Sequence, residues 1–122
     1  MAWTYHQSTG ELERNGKKVG NGYSGKKPWR NVPQAQSRSN DGPLPQGKYL
    51  IANYFVGDAA MGKHSLPLMP DPQNNMFGRT RFLIHARSLA HVESSSDGSI
   101  VTRLDICMRI LHSGDRTLMV VA

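Results

Sequence analysis

FLIHARSLAHVESSSDGSIV, residues Phe82 to Val101, reads as a strand, a polar loop and a second strand. In RTRFLIHA, alternation puts Phe82 and Ile84 on one buried face, and the strand closes on His85. A loop rich in small polar residues follows, then Asp97-Gly98, Ser99 and apolar residues again. Beyond Ser99 the apolar period changes. Leu104, Cys107, Met108 and Leu111 fall at i, i+3, i+4 and i+7, which predicts one face of a helix. Thr102 is the expected cap, with Asp105 as its capping-box partner, and Gly114 is the expected stop.

Working outward, TGELERNGKKVGNGYSG predicts a β-hairpin, because Asn15-Gly16 supplies the positive φ pair of a type I′ turn. WTYHQ is a strand with Trp3 and Tyr5 on one face. Residues 24–47 carry Pro28, Pro33, Asp41-Gly42-Pro43, Pro45 and Gly47, and predict a long irregular loop of the kind that often serves function. KYLIANYFV reads as a strand, HSLPLMP as an edge strand because prolines interrupt a central ladder, and RTLMVV as the final strand. The expectation is one domain over residues 1–122, mostly β, with a single helix in the C-terminal half. A chain of 122 residues can bury roughly two-thirds of its unfolded surface, so one core suffices.

Fifteen Lys and Arg against nine Asp and Glu give a net charge of +6, which steers anionic partners. The basic residues are scattered, and only 7% of the chain is aromatic, so a stacking nucleic-acid surface is the weaker reading and no nucleic-acid partner is expected. A single cysteine excludes an internal disulfide and a cysteine-based zinc knuckle. The five histidines show neither H-x-H nor H-E-x-x-H spacing, so neither a metal nor any other cofactor is expected. The N-terminus has no charged and apolar leader and no segment approaches the ~20 apolar residues of a span. The expectation is a chain made in the cytoplasm that reaches any other compartment without a cleaved signal.

His85 has two readings: a satisfied core histidine, or a base fourteen positions before Ser99 that the loop folds back to meet. SSDGS likewise serves as an ordinary turn or as a place where the N–H groups of Gly98 and Ser99 converge on an oxyanion. Cys107, between Leu104 and Leu111 on the apolar helix face, reads as a small inert hydrophobe.

Seven segments in order, WTYHQSTGEL, VGNGYSG, GPLPQGKYLI, LPLMP, FGRTRFLIHA, SSDGSIV and SGDRTLMVV, resemble the small L,D-transpeptidase-like toxins of bacterial type VI secretion. The resemblance runs from Trp3 to Val121. It implies an L,D-transpeptidase-like β-sandwich with His85 as general base and acid, Ser96 and Gly98 as the serine and glycine of an S-x-G-C motif, and Ser99 where the family places its cysteine. It implies action on peptidoglycan stem peptides in the periplasm of a target bacterium. The bond cut joins the L-centre of meso-diaminopimelate to D-alanine, by hydrolysis or by exchange for another D-amino acid. It also implies a delivery component and a cognate immunity protein. Arg79, Arg87 and Arg103 are the expected holders of substrate carboxylates.

Two positions depart from the pattern. Ala86 stands where the family usually has glycine, and Ser99 replaces the nucleophile. The serine has three readings: an engineered replacement that keeps shape and removes toxicity, a natural homologue that only binds, or a working serine enzyme. The intact surroundings and the untouched Cys107 favour the first. The runner-up function is a catalytically dead module that binds cell wall or a partner protein.

Overall fold

The computed structural model describes residues 2–39, 41–55, 64–86 and 99–122. Eight strands occur among them: β1 (Ala2–His6), β2 (Glu11–Arg14), β3 (Lys17–Ser24), β4 (Gly47–Ile51), β5 (Ser65–Pro70), β6 (Phe82–Ala86), β7 (Ile100–Thr102) and β8 (Thr117–Val121). One helix, α1 (Leu104–Ser113), separates β7 from β8. The described residues are mostly β with one α-helix in the C-terminal half, as the sequence predicts.

The strands close into one ring in the order β1-β2-β3-β7-β6-β5-β4-β8. The family resemblance implies a β-sandwich, and the described strands form it as one closed ring. The ring closes because β1 runs parallel to β8, from Ala2 opposite Thr117 to His6 opposite Val121. A second parallel pair, β6 with β7, places Ile84 opposite Ile100 and His85 opposite Val101. The remaining neighbours are antiparallel.

The β2–β3 hairpin turns at Asn15 (φ 54°) and Gly16 (φ 80°), the type I′ signature. Trp3 and Tyr5 point inward together, as period two requires. They join Leu12, Tyr49, Ile51, Leu66, Phe82, Ile84, Ile100 and Leu118 in one core cluster. Trp3 also ties the end of α1 to the ring, its indole Nε1–H donating to Ser113 Oγ at 3.1 Å.

Four expectations differ from the structure. First, β5 is not an edge: it pairs with β4 on one side and β6 on the other. Pro67 is tolerated because it stands past Ile51, the last residue of β4, and supplies only its carbonyl, which accepts from Ala52 N–H at 2.9 Å. Second, β4 stops at Ile51 rather than running through KYLIANYFV. Third, the buried face of α1 is Ile106, Cys107 and Ile110, while Leu104 is exposed. Fourth, Thr102 ends β7 and its hydroxyl donates to Asn21 O at 2.8 Å; Arg103 occupies the N-cap position without a side-chain cap. Gly114 does end the helix, at φ 76°.

Gly22 sets the approach of β3 to β7. A Cβ there would lie 2.5 Å from the Val101 carbonyl oxygen. Gly22→Ala is therefore expected to cost about 1–3 kcal/mol through forced separation of the two strands. Urea unfolding measures it, and an unchanged midpoint refutes the close-approach account.

Candidate active site

The site lies where the two parallel strands meet. Phe82, Ile84 and Ala86 of β6 are buried and belong to the core, so Leu83 and His85 between them face outward. Register aligns Ser65, His85, Val101 and Tyr23 in one row across β5, β6, β7 and β3. Val101 and Tyr23 are buried yet lie outside the core cluster. The segment after β3 contributes to their cover: the Arg30 guanidinium sits 4.0 Å from the Tyr23 ring centroid.

Ser99 immediately precedes β7. Its hydroxyl oxygen accepts a hydrogen bond from the Leu83 N–H at 3.1 Å. Ser99 thus stands beside Leu83, and His85 lies two residues further along β6. Diagonal neighbours on a sheet are about 7–8 Å apart at Cα, within reach of a long side chain. Ser99 is 2% exposed, and its backbone is pinned as well as its side chain. Ser24 Oγ–H donates to the Ser99 carbonyl at 2.8 Å, and Ser24 Oγ itself accepts from Leu44 N–H at 2.8 Å. Asn31 Oδ1 in turn accepts from Ser24 N–H at 3.1 Å. The end of β3 and the irregular segment after it therefore hold Ser99 in place. A serine at a strand end and a backbone N–H carry no sequence signal, so the parts of Ser24 and of the Leu83 N–H emerge only from the structure.

A backbone N–H aimed at the side-chain atom of position 99 has chemical consequences. It favours an anion there over the neutral form, because a donor stabilises charge more than it stabilises a hydroxyl or thiol. Sulfur at this place would meet the same donor.

The remaining candidates fall in different surroundings. Ser96, Gly98 and Arg87 lie outside the described residues. Arg79 is buried, and its guanidinium donates to the carbonyls of Gln36, Pro43 (2.7 Å) and Gly42 (3.0 Å). It clasps the long irregular segment to the residues that precede β6. Arg103 is exposed at the start of α1 and makes a two-pronged pair with Asp105, at 3.0 and 2.9 Å.

Cys107 lies in the core cluster, away from this outer face. Burial pushes its thiol up to about 12, with the negative charge of Asp105 adding to the effect. A thiol so placed is inert. Ellman's reagent at pH 8 is expected to find no reactive thiol in the native protein and one after denaturation. The linkage has a definite sign. Between the ordinary value of 9.0 and about 12, the folded chain keeps a proton that the unfolded chain loses, so this contribution to stability falls as pH rises through that window. A reactive native thiol at pH 8 contradicts the burial.

Beside Leu83 a cavity of about 550 Å³ opens on the outer face. Pro67, Leu68, Pro70, Phe82 and Leu83 form its apolar wall, and the segment Arg79–Arg81 completes it.

The profile of the Tlde1 domain family matches residues 18–121. Among solved structures, that of Bd1075 from Bdellovibrio bacteriovorus superposes with a TM-score of 0.63 at 15% sequence identity. The match covers 98% of this chain and 47% of that one, so the chain spans about half the length of its structural relative. At that identity the likeness is one of fold. No match was found among curated protein sequences.

Proposed function

The chain belongs to the Tlde1 domain family, the L,D-transpeptidase-like type VI effectors that its motifs resemble, and from that membership we propose an antibacterial toxin acting on peptidoglycan stem peptides. The reaction is cleavage between the L-centre of meso-diaminopimelate and D-alanine, or exchange of that D-alanine for another D-amino acid. The observation that carries the reading is the juxtaposition at the head of β7. Position 99 receives the Leu83 N–H, and His85 stands on the adjacent parallel strand.

In the cysteine form, the thiolate attacks the carbonyl carbon of the diaminopimelate L-centre, and the Leu83 N–H holds the thiolate beforehand. N–H groups at positions 98 and 99 receive the oxyanion. The tetrahedral intermediate collapses as the C–N bond breaks, with His85 delivering a proton to the leaving amine of D-alanine. Water or the amine of another D-amino acid then attacks the thioester, giving up a proton to His85, and the thiolate leaves as the C–S bond breaks. A substrate carboxylate is assigned to Arg87, with the Arg79 side chain forming part of the adjoining wall and the Arg103 fork already held by Asp105. Delivery by a type VI component to the periplasm of a target bacterium, and a cognate immunity protein that blocks the cleft, complete the proposal.

The serine at position 99 favours one second reading, a module that binds without turning over. A cysteine codon in the genomic sequence removes it. The test of the main reading is to direct the Ser99→Cys protein to the periplasm of a susceptible bacterium and analyse its muropeptides. Tetrapeptide stems are expected to shorten to tripeptides or to carry a substituted fourth residue. An unaltered muropeptide profile, with folded protein in the periplasm, refutes it.

A further inference from the structure

We infer that the cavity beside Leu83 is the subsite for the side chain of the residue that donates the acyl group, and that Arg81 selects a carboxylate at the end of that side chain. The inference rests on the reaction proposed above and names its specificity determinant.

Three positions define an axis along the outer face of β6. Arg81 precedes the strand, Leu83 stands beside Ser99, and His85 lies two residues beyond. The leaving amine must approach His85 to receive its proton. The acyl-donating residue, joined to the other side of the scissile bond, therefore extends away from His85 and toward Arg81. The cavity lies there. Its wall is apolar, formed by Pro67, Pro70, Phe82 and Leu83, and suits a run of methylene groups.

Arg81 supplies what the apolar wall lacks. It lines the cavity, is exposed, and makes no hydrogen bond or ion pair with any described residue. Its neighbour Arg79 is consumed by three carbonyls. Arg81 also sits at φ 66°, a left-handed conformation that a long side chain rarely adopts. The backbone is thus held in an unfavourable shape at a residue that lines the cavity and carries a guanidinium. A side chain of several methylenes ending in a carboxylate fits both parts, apolar stem to the wall and anion to the guanidinium. Diaminopimelate has such a side chain; its carboxylate sits at the distal D-centre. Lysine, with four methylenes and a terminal ammonium but no carboxylate, does not.

The test uses the Ser99 protein as it stands and measures binding by NMR titration. The probes are two synthetic tetrapeptides that differ only in the third residue, meso-diaminopimelate or L-lysine. The diaminopimelate peptide is expected to bind about tenfold more tightly, the low end for a charge-assisted hydrogen bond. Arg81→Gln should erase the difference, and Arg81→Glu should reverse it. Arg81→Gly removes the charge while suiting the local φ, so it should erase the difference without loss of thermal stability. Equal binding of the two peptides, or discrimination that survives Arg81→Gln, overturns the inference. Turnover by the Ser99→Cys form is scored separately. Discrimination without turnover leaves the subsite standing and refutes the reaction; turnover without discrimination does the opposite.

Discussion

Ser99→Cys is expected to raise turnover of a diaminopimelate tetrapeptide by at least about a thousand-fold over the serine form, a factor in line with the loss of a nucleophile in enzymes that use a triad. The exchange of oxygen for sulfur is small in volume and keeps the Leu83 N–H as donor. What changes is ionisation. A cysteine beside histidine ionises near or below neutral pH, whereas a serine hydroxyl stays protonated and needs its proton removed in the attack itself. Adding His85→Ala to the cysteine form should cost about 10²–10⁴-fold, the usual worth of a positioned acid or base. His85 is half-buried on the outer face, so thermal melts are run alongside to separate any loss of stability from the loss of rate. Steady-state kinetics with the synthetic tetrapeptide, alongside thermal melts, separates the two effects. A folded cysteine variant that leaves the tetrapeptide intact would sink the catalytic assignment of position 99.

Arg79→Met is expected to lower stability by about 3 kcal/mol or more, since three carbonyls lose charged donors in a buried setting. For a domain of this size that corresponds to a melting temperature lower by roughly 10 °C. Methionine retains most of the stem volume, so the loss isolates the guanidinium. Arg79→Lys should recover only part of it, because an ammonium is a point charge and cannot span the carbonyls of Gln36, Gly42 and Pro43 together. The consequence reaches the site. The segment that Arg79 clasps also carries Leu44, which shares Ser24 Oγ with the Ser99 carbonyl. In the Ser99→Cys background, Arg79→Met should therefore depress activity at temperatures where the protein remains folded. A melting temperature within about 2 °C of the parent would show that Arg79 is no strut, given that each kcal/mol moves it by several degrees.

Local chemistry was legible wherever one or two residues decide the geometry. Asn15-Gly16 has few alternatives to a type I′ turn, and Gly114 few alternatives to a helix stop. The inertness of Cys107 was legible because it lies on the apolar face under either helix phase. The phase itself was not. Apolar residues at 104, 106, 107, 108, 110 and 111 surround most of the helix, so two stripes fit the same period. Packing in the core cluster selected Ile106, Cys107 and Ile110 and left Leu104 to solvent.

The same division holds for the sheet and the site. Period two and turn chemistry determined by themselves that the described residues are mostly β and that Trp3 and Tyr5 face one way. Only the closed ring decided that β5 is central, since whether proline is tolerated depends on which neighbour needs its missing N–H. Only the parallel register of β6 and β7 decided that Ser99 meets the Leu83 N–H. Arg79 and Arg81 look alike in GRTRF, yet one is buried against three carbonyls and the other is exposed at the cavity. Sequence fixes which groups are available. Burial and register, which depend on residues far away in the chain, decide what each group touches.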